Sequence, residues 1–156
     1  MKTCRVWPVA ILVATALTTP AANQSIFDEK ADAHQQIAAA IGEASKTGKH
    51  IILDFGANWC GDCHALEAQM QKPELAALIA RSYVVVNVDV GRFDRNLDLV
   101  QKYRIPLHKG IPALAVLDSH GDLLYAQEQG QFEDARHMTC EAINAFFDQW
   151  KPKGLH

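Results

Sequence analysis

From Glu29 to Thr47 the residues Ala33, Ile37, Ile41 and Ala44 recur every three or four positions among polar neighbours, and Gly48 follows. That spacing puts the apolar set on one face of a helix, and a glycine is a common helix stop. The pattern then changes. Ile51-Ile52-Leu53-Asp54-Phe55 is a nearly continuous apolar run of strand length, as expected for a strand covered on both faces. A second helix is predicted from about Cys60, with Leu66 and Met70 facing inward. Pro73 either kinks it or opens another helix that carries Leu75, Leu78 and Ile79. The valine-rich stretch from Tyr83 to Val90 predicts another buried strand. Asp94 to Tyr103 predicts a short helix with Leu97, Leu99, Val100 and Tyr103 as its apolar cover. Ala113–Leu117 and Leu123–Gln127 flank the turn-forming run Asp118-Ser119-His120-Gly121-Asp122 and so predict a hairpin. A final helix is expected from about Glu133 to Trp150, with Ile143, Phe146, Phe147 and Trp150 inward.

The order helix, strand, helix, strand, helix, hairpin, helix fits an α/β sandwich. Its central sheet is expected to be mixed, with a parallel core and an antiparallel edge hairpin. No repeat, low-complexity tract or long Pro/Gly linker interrupts residues 23–156, so one domain is expected there. The first 22 residues differ in kind. Lys2 and Arg5 precede the apolar run Val6 to Leu17, and Thr19-Pro20-Ala21-Ala22 supplies small residues beyond it. This is the three-part pattern of a secretory signal, and it implies a secreted or periplasmic protein. Cys4 lies before the apolar run, not after it where a lipid-attachment cysteine would stand, and leaves with the signal. No stretch of the remaining chain approaches the roughly 20 apolar residues that span a bilayer, so the mature protein is not expected to be membrane-embedded.

A chain of 156 residues with 49% hydrophobic content can bury one core, and its formal charge of −3 argues against a nucleic-acid partner. Taking Lys2 and Arg5 from the 15 basic residues leaves 13 against 18 acidic ones, an acidic mature protein. Three cysteines remain: Cys60, Cys63 and Cys140. A disulfide-stapled scaffold carries more of them, in an even number. Two close cysteines and one distant one fit a redox pair and a bystander.

Cys60-Gly61-Asp62-Cys63 follows a predicted strand and opens a predicted helix. Unpaired backbone N–H groups and the macrodipole at a helix N-terminus favour a thiolate there, and the thiolate is the species that attacks a disulfide. Cys60 is therefore expected to attack and Cys63, one turn along, to resolve the mixed disulfide. No cofactor beyond this redox-active pair is expected. The same spacing also occurs as half of a zinc site, but four ligands are needed there. This chain has no second such pair, and its seven histidines are scattered. A non-catalytic module that holds metal or a partner through the dithiol, or a redox-sensing subunit, are the readings outside enzymology.

The run from Ile52 through Trp59 to Cys63 resembles the strand, active-site loop and helix start of the thioredoxin family. Gly110-Ile111-Pro112 stands before the hairpin, where that family keeps a cis-proline opposite the cysteines. The similarity covers about residues 29 to 150. Cys63 to Leu66, Pro73-Glu74-Leu75 and Asn87-Val88-Asp89 are similar to the exported branch related to thiol:disulfide interchange proteins. The resemblance implies a thioredoxin-like three-layer sandwich and a thiol–disulfide oxidoreductase. Its substrates would be protein thiols and disulfides, and another thiol protein would supply electrons. It implies that Trp59 shields the pair and that Asp54 is the buried acid beneath it. Such a carboxyl, its pKa raised by burial, could exchange a proton with Cys63. It also implies that a cis Pro112 exposes the Ile111 backbone to a substrate strand.

Some residues depart from the family pattern. Gly56 replaces an aromatic residue, which suggests a wider groove. Asp62 replaces a proline, and a carboxylate so near Cys60 should destabilise the thiolate and make the couple more reducing. Disulfide reduction is therefore expected ahead of oxidation or isomerisation, with His64 able to offset part of the charge. Leu107-His108-Lys109 with Arg104 places basic groups near the expected groove, and Cys140 is expected as a buried core thiol.

Overall fold

A computed structural model describes residues 25–154, so the expected signal over residues 1–22 lies outside the described residues. Asp32, not Glu29, opens the first helix, α1 (Ala33–Thr47). Its carboxylate accepts hydrogen bonds from the backbone N–H groups of His34 at 3.0 Å and Gln35 at 3.2 Å. Gly48, left-handed at φ 73°, closes the helix by donating its N–H to the Ala44 carbonyl.

The next strand, β1 (His50–Gly56), runs through the middle of a four-stranded sheet. It pairs in parallel with β2 (Tyr83–Asp89) and antiparallel with β3 (Ala113–Leu117), and β4 (Leu123–Ala126) lies outside β3. The sheet is mixed as expected, and its parallel pairing is that of β1 with β2. Between those two strands lie α2 (Gly61–Met70) and α3 (Pro73–Ser82). Pro73 begins α3, a position where its missing N–H would have had no partner anyway.

Alternation along β1 separates two cores. Ile51, Leu53 and Phe55 pack with Ile37, Ala40 and Ala44 of α1 on one side of the sheet. Ile52 packs on the other side with Leu66 and Met70 of α2, Leu75 and Leu78 of α3, and Ile143 and Phe147 of α5 (Cys140–Trp150). Asp54 shares the parity of Ile52. It is a fully buried carboxyl in a strand that is otherwise almost entirely apolar.

Two helices are shorter than their hydrophobic pattern predicts. α4 covers Leu97–Lys102 only, because Phe93 (φ 67°) and Asn96 (φ 50°) adopt left-handed backbone that a helix cannot contain. The loop before α4 is built on Asp89, whose carboxylate takes the Gly91 N–H at 3.2 Å and the Arg95 guanidinium at 2.9 Å. The last helix begins at Cys140, where Thr139 caps it through the Ala142 N–H at 3.1 Å. Upstream, Phe132 and Ala135 are buried and Ala135–His137 forms a single 3₁₀ turn. This late start corrects the expectation for Cys140. The residue stands at the helix end beyond the core, partly exposed, with Lys72 Nζ at 3.0 Å and Gln69 Oε1 at 3.3 Å from its sulfur.

Gly56 is corrected as well. No wider groove results from it, because the buried ring of Phe27 occupies the space beside it. A Cβ on Gly56 would overlap that ring and come within 2.9 Å of Cys63 Sγ. Asn58 fixes the ring's position by bracketing the Phe27 backbone. Its side chain accepts from the Phe27 N–H at 3.0 Å and donates to the Phe27 carbonyl at 2.8 Å. Gly56→Ala should therefore lower stability by about 1–3 kcal/mol through overpacking. Urea unfolding of the oxidised protein measures it, and an unchanged midpoint would contradict this packing.

Candidate active site

Strand β1 ends at Gly56, and Ala57-Asn58-Trp59 turns the chain into α2. Cys60 is the N-cap of that helix, with extended backbone (φ −82°, ψ 112°), and its sulfur accepts the Cys63 N–H at 3.0 Å. The two cysteines form a disulfide with Cα atoms 5.3 Å apart. They differ in access. Both are buried, but Cys60 keeps 5% exposure and Cys63 none, so Cys60 is the less covered of the two. The cap geometry also shows what the reduced form gains. One backbone N–H already points at Cys60 Sγ, and the helix dipole favours negative charge at that end.

Across from the pair, the Ile111–Pro112 peptide bond is cis and the Ile111 carbonyl oxygen lies 3.5 Å from Cys60 Sγ. Buried Gln127 ties this corner to the sheet. Its amide oxygen accepts the Leu114 N–H at 3.2 Å and its amide nitrogen donates to the Pro112 carbonyl at 3.4 Å. Trp59 is 51% exposed and anchored by a hydrogen bond from its indole N–H to the Gly91 carbonyl at 2.8 Å. Phe93 stacks edge-on against it, ring centres 5.7 Å apart, and is itself exposed. Two aromatic faces thus stand in the open near Cys60, an apolar surface of the kind that marks a contact site.

In β1, two residues before the strand's end at Gly56, neither carboxylate oxygen of Asp54 has a hydrogen-bond partner. Burial pushes its pKa up to about 7, and the nearby charge of Glu67 on α2 adds to the rise. A carboxyl near 7 can both hold and release a proton at neutral pH, which suits acid–base work.

Asp62 faces away from this interior. Arg136 donates to it from Nε at 3.0 Å and from its backbone N–H at 3.1 Å, and Nη2 lies 3.0 Å from the other oxygen. The hydrogen bond from the Arg136 side chain leads in holding the Asp62 carboxyl below the usual carboxylate range. The expectation of an uncompensated negative charge beside Cys60 is corrected: the carboxylate is ionised but paired. Nor does His64 supply the offset, since its Nε2 is 2.7 Å from the Asn58 carbonyl and the ring is turned back onto the loop. Leu107–Lys109 forms a 3₁₀ turn leading to Gly110, with no basic side chain buried there. Among the described residues, no three His, Cys, Asp or Glu side chains converge as metal ligands would.

Of the residues chosen from the sequence, Cys60 is bonded to Cys63 and lies 3.5 Å from the Ile111 carbonyl, with Trp59 and Pro112 as chain neighbours, while Asp54 lies in the strand that leads to them. Phe93, Phe27, Gln127 and Arg136 were not foreseen. Phe93 carried a weak signal, an aromatic residue in a polar run after a strand. Arg136 carried none, because it is 74 positions from the carboxylate it meets.

Known proteins share this arrangement. A thioredoxin-like family model matches residues 32–119. The solved structure of a disulphide isomerase from Xylella fastidiosa Temecula1 superposes with a TM-score of 0.78 at 42% identity, covering 82% of this chain and 98% of that one. Thioredoxin-1 of Drosophila yakuba is 35% identical over 74 residues, which are 47% of this chain and 59% of that protein. The thiol:disulfide interchange protein DsbD 2 of Pseudomonas aeruginosa is 26% identical over 141 residues, 87% of this chain but 21% of that much longer one. The span of the family model contains the β1 strand, the cysteine-capped helix and the cis-proline corner. The chain belongs to the thioredoxin-like family of thiol–disulfide oxidoreductases.

Proposed function

We propose that this protein is an exported disulfide reductase that acts on protein substrates and is recharged by another thiol protein. The observation that carries the reading is the asymmetry of the pair, with an unpaired acid in the strand that leads to it: Cys60 caps α2 and keeps slight exposure, Cys63 is fully buried, and β1 carries Asp54. In the forward cycle the Cys60 thiolate attacks one sulfur of a substrate disulfide. The substrate S–S bond breaks, and the departing thiolate takes a proton. Cys63 then gives its proton to Asp54 and attacks Cys60 Sγ, which forms the Cys60–Cys63 bond and releases the second substrate thiol. Two electrons pass from the dithiol to the substrate, and a donor dithiol restores them.

Asp54 is what favours reduction. A base that takes up the resolving thiol's proton would speed the step that completes a reduction, whereas an isomerase must let the mixed disulfide persist. Ile111 and Pro112 would offer backbone to an extended substrate segment, and Trp59 with Phe93 an aromatic ledge beside the attacked bond. A second reading, isomerase, is favoured by the similarity to the disulphide isomerase of Xylella fastidiosa. Export rests on the N-terminal pattern. Among the described residues no helix is long and apolar enough to cross a membrane.

Insulin reduction with dithiothreitol as donor should be accelerated by the wild type and not by Cys60→Ser. Equal activity of that variant would overturn the mechanism. A redox titration separates the two directions. A potential near about −270 mV accords with a reductase, and one near about −180 mV or above with an isomerase or oxidase.

Asp54→Asn should lower kcat/KM for insulin on the order of tenfold to hundredfold and flatten the rise in rate through pH 7. A parallel pH profile in the variant would rule Asp54 out as the proton acceptor. The same substitution has a stability signature. Between pH 4 and 7 folded Asp54 keeps a proton that the unfolded chain has lost, so stability falls as pH rises through that window. Between pH 4.5 and pH 8 the fall amounts to about 3 kcal/mol in the oxidised wild type and should be absent in Asp54→Asn, as denaturant unfolding at those two pH values would measure.

A further inference from the structure

We propose that Arg136 is a positioning residue that sets the reduction potential of the Cys60–Cys63 pair through Asp62. This rests on the pair being redox-active, and it assigns a determinant of the potential that lies outside the motif.

Asp62 is in the first turn of α2, two residues after the sulfur that must carry negative charge when the pair is reduced. A bare carboxylate there would oppose both the cap N–H and the helix dipole. Arg136 meets it with three donors, two from the guanidinium and one from the backbone. The guanidinium also crosses the outer side of the motif, with Nη1 and Cζ at 3.7 and 3.8 Å from where a Gly61 Cβ would be. The charge therefore lies over the dipeptide between the cysteines.

The placement is built, not incidental. Arg136 sits in the Ala135–His137 turn, and Ala135 and Phe132 bury that turn's base in the core at 1% exposure each. The guanidinium itself stays in solvent, 61% exposed. An exposed ion pair of this kind contributes little to folding stability. Its effect on a neighbouring thiolate is a different matter. Reduction adds two electrons, opens the S–S bond and leaves Cys60 as the charged species, while Cys63 takes a proton. Any group that destabilises that charge shifts the couple toward the disulfide. The other charges at this spot are His137, which faces Asp62, and Asp134, which faces Arg136 and hydrogen-bonds His137 at 2.5 Å. They do not replace the contact that Arg136 makes.

Equilibration of the full chain with defined ratios of reduced and oxidised glutathione tests this. Arg136→Ala should move the equilibrium constant toward the disulfide by about threefold to tenfold, tenfold corresponding to about 30 mV. It should also raise the pH at which Cys60 becomes reactive to iodoacetamide. Arg136→Lys, which keeps the charge, should stay near the wild type. In an Asp62→Asn background, Arg136→Ala should have little effect, because the charge it compensates is gone. An unchanged constant in Arg136→Ala, or a shift of the same size in both backgrounds, would overturn the proposal. The readout needs no turnover of a protein substrate, so a failed insulin assay and a failed tuning of the pair are separate results.

Discussion

A sulfur atom caps helix α2, and the rest of the site depends on that contact. Ser, Asp or Asn would normally satisfy the free N–H groups at a helix start. Here the Cys63 N–H points at Cys60 Sγ from 3.0 Å, so the first cysteine is held by the helix it begins. The capping residue stands at the end of the helix and the residue three positions on turns fully inward, so the two sulfurs differ in how deeply they are covered. β1 delivers the chain to this point, and Asn58 and Phe27 hold the connecting loop against the sheet.

The second constraint is the buried carboxyl below. Asp54 lies on the sheet face that packs against α2, α3 and α5, with no donor for either oxygen. Such a group costs stability whenever it is ionised. A polar side chain of similar size with a hydrogen-bond partner would be safer for the fold. Its retention in an apolar strand accords with a role in moving protons, and the Glu67 charge on the next helix presses in the same direction as burial.

Around these two features the surface divides by chemistry. On one side of Cys60 are Trp59 and Phe93, the latter held in left-handed backbone that a bulky residue rarely adopts. The loop that holds Phe93 there is anchored by Asp89 with Arg95 and by the Asn96 amide on the Asp89 carbonyl. On the other side is the Asp62–Arg136 pair, polar and ionic.

Much of this was legible in the sequence because it depends on local rules. The alternation from Ile51 to Phe55, the helical spacing of Ala33, Ile37 and Ala44, and Pro73 at a helix start each need only neighbouring residues. The cysteine spacing and Ile111-Pro112 carried the chemistry in the same way. What the sequence left open involves residues far apart in the chain. Gly56 suggested empty space, and only folding brought the Phe27 ring into it. Cys140 looked like core, and only the Thr139 cap put it at a helix end. Asp62 looked like a bare charge near a thiol, and only the turn at Ala135 supplied its partner. Periodicity and motif determine which residues lie on which face of each element, because those depend on backbone geometry over a few positions. Tertiary structure decides which charges are compensated and which spaces are filled, because Coulomb energy and packing act through distance in space.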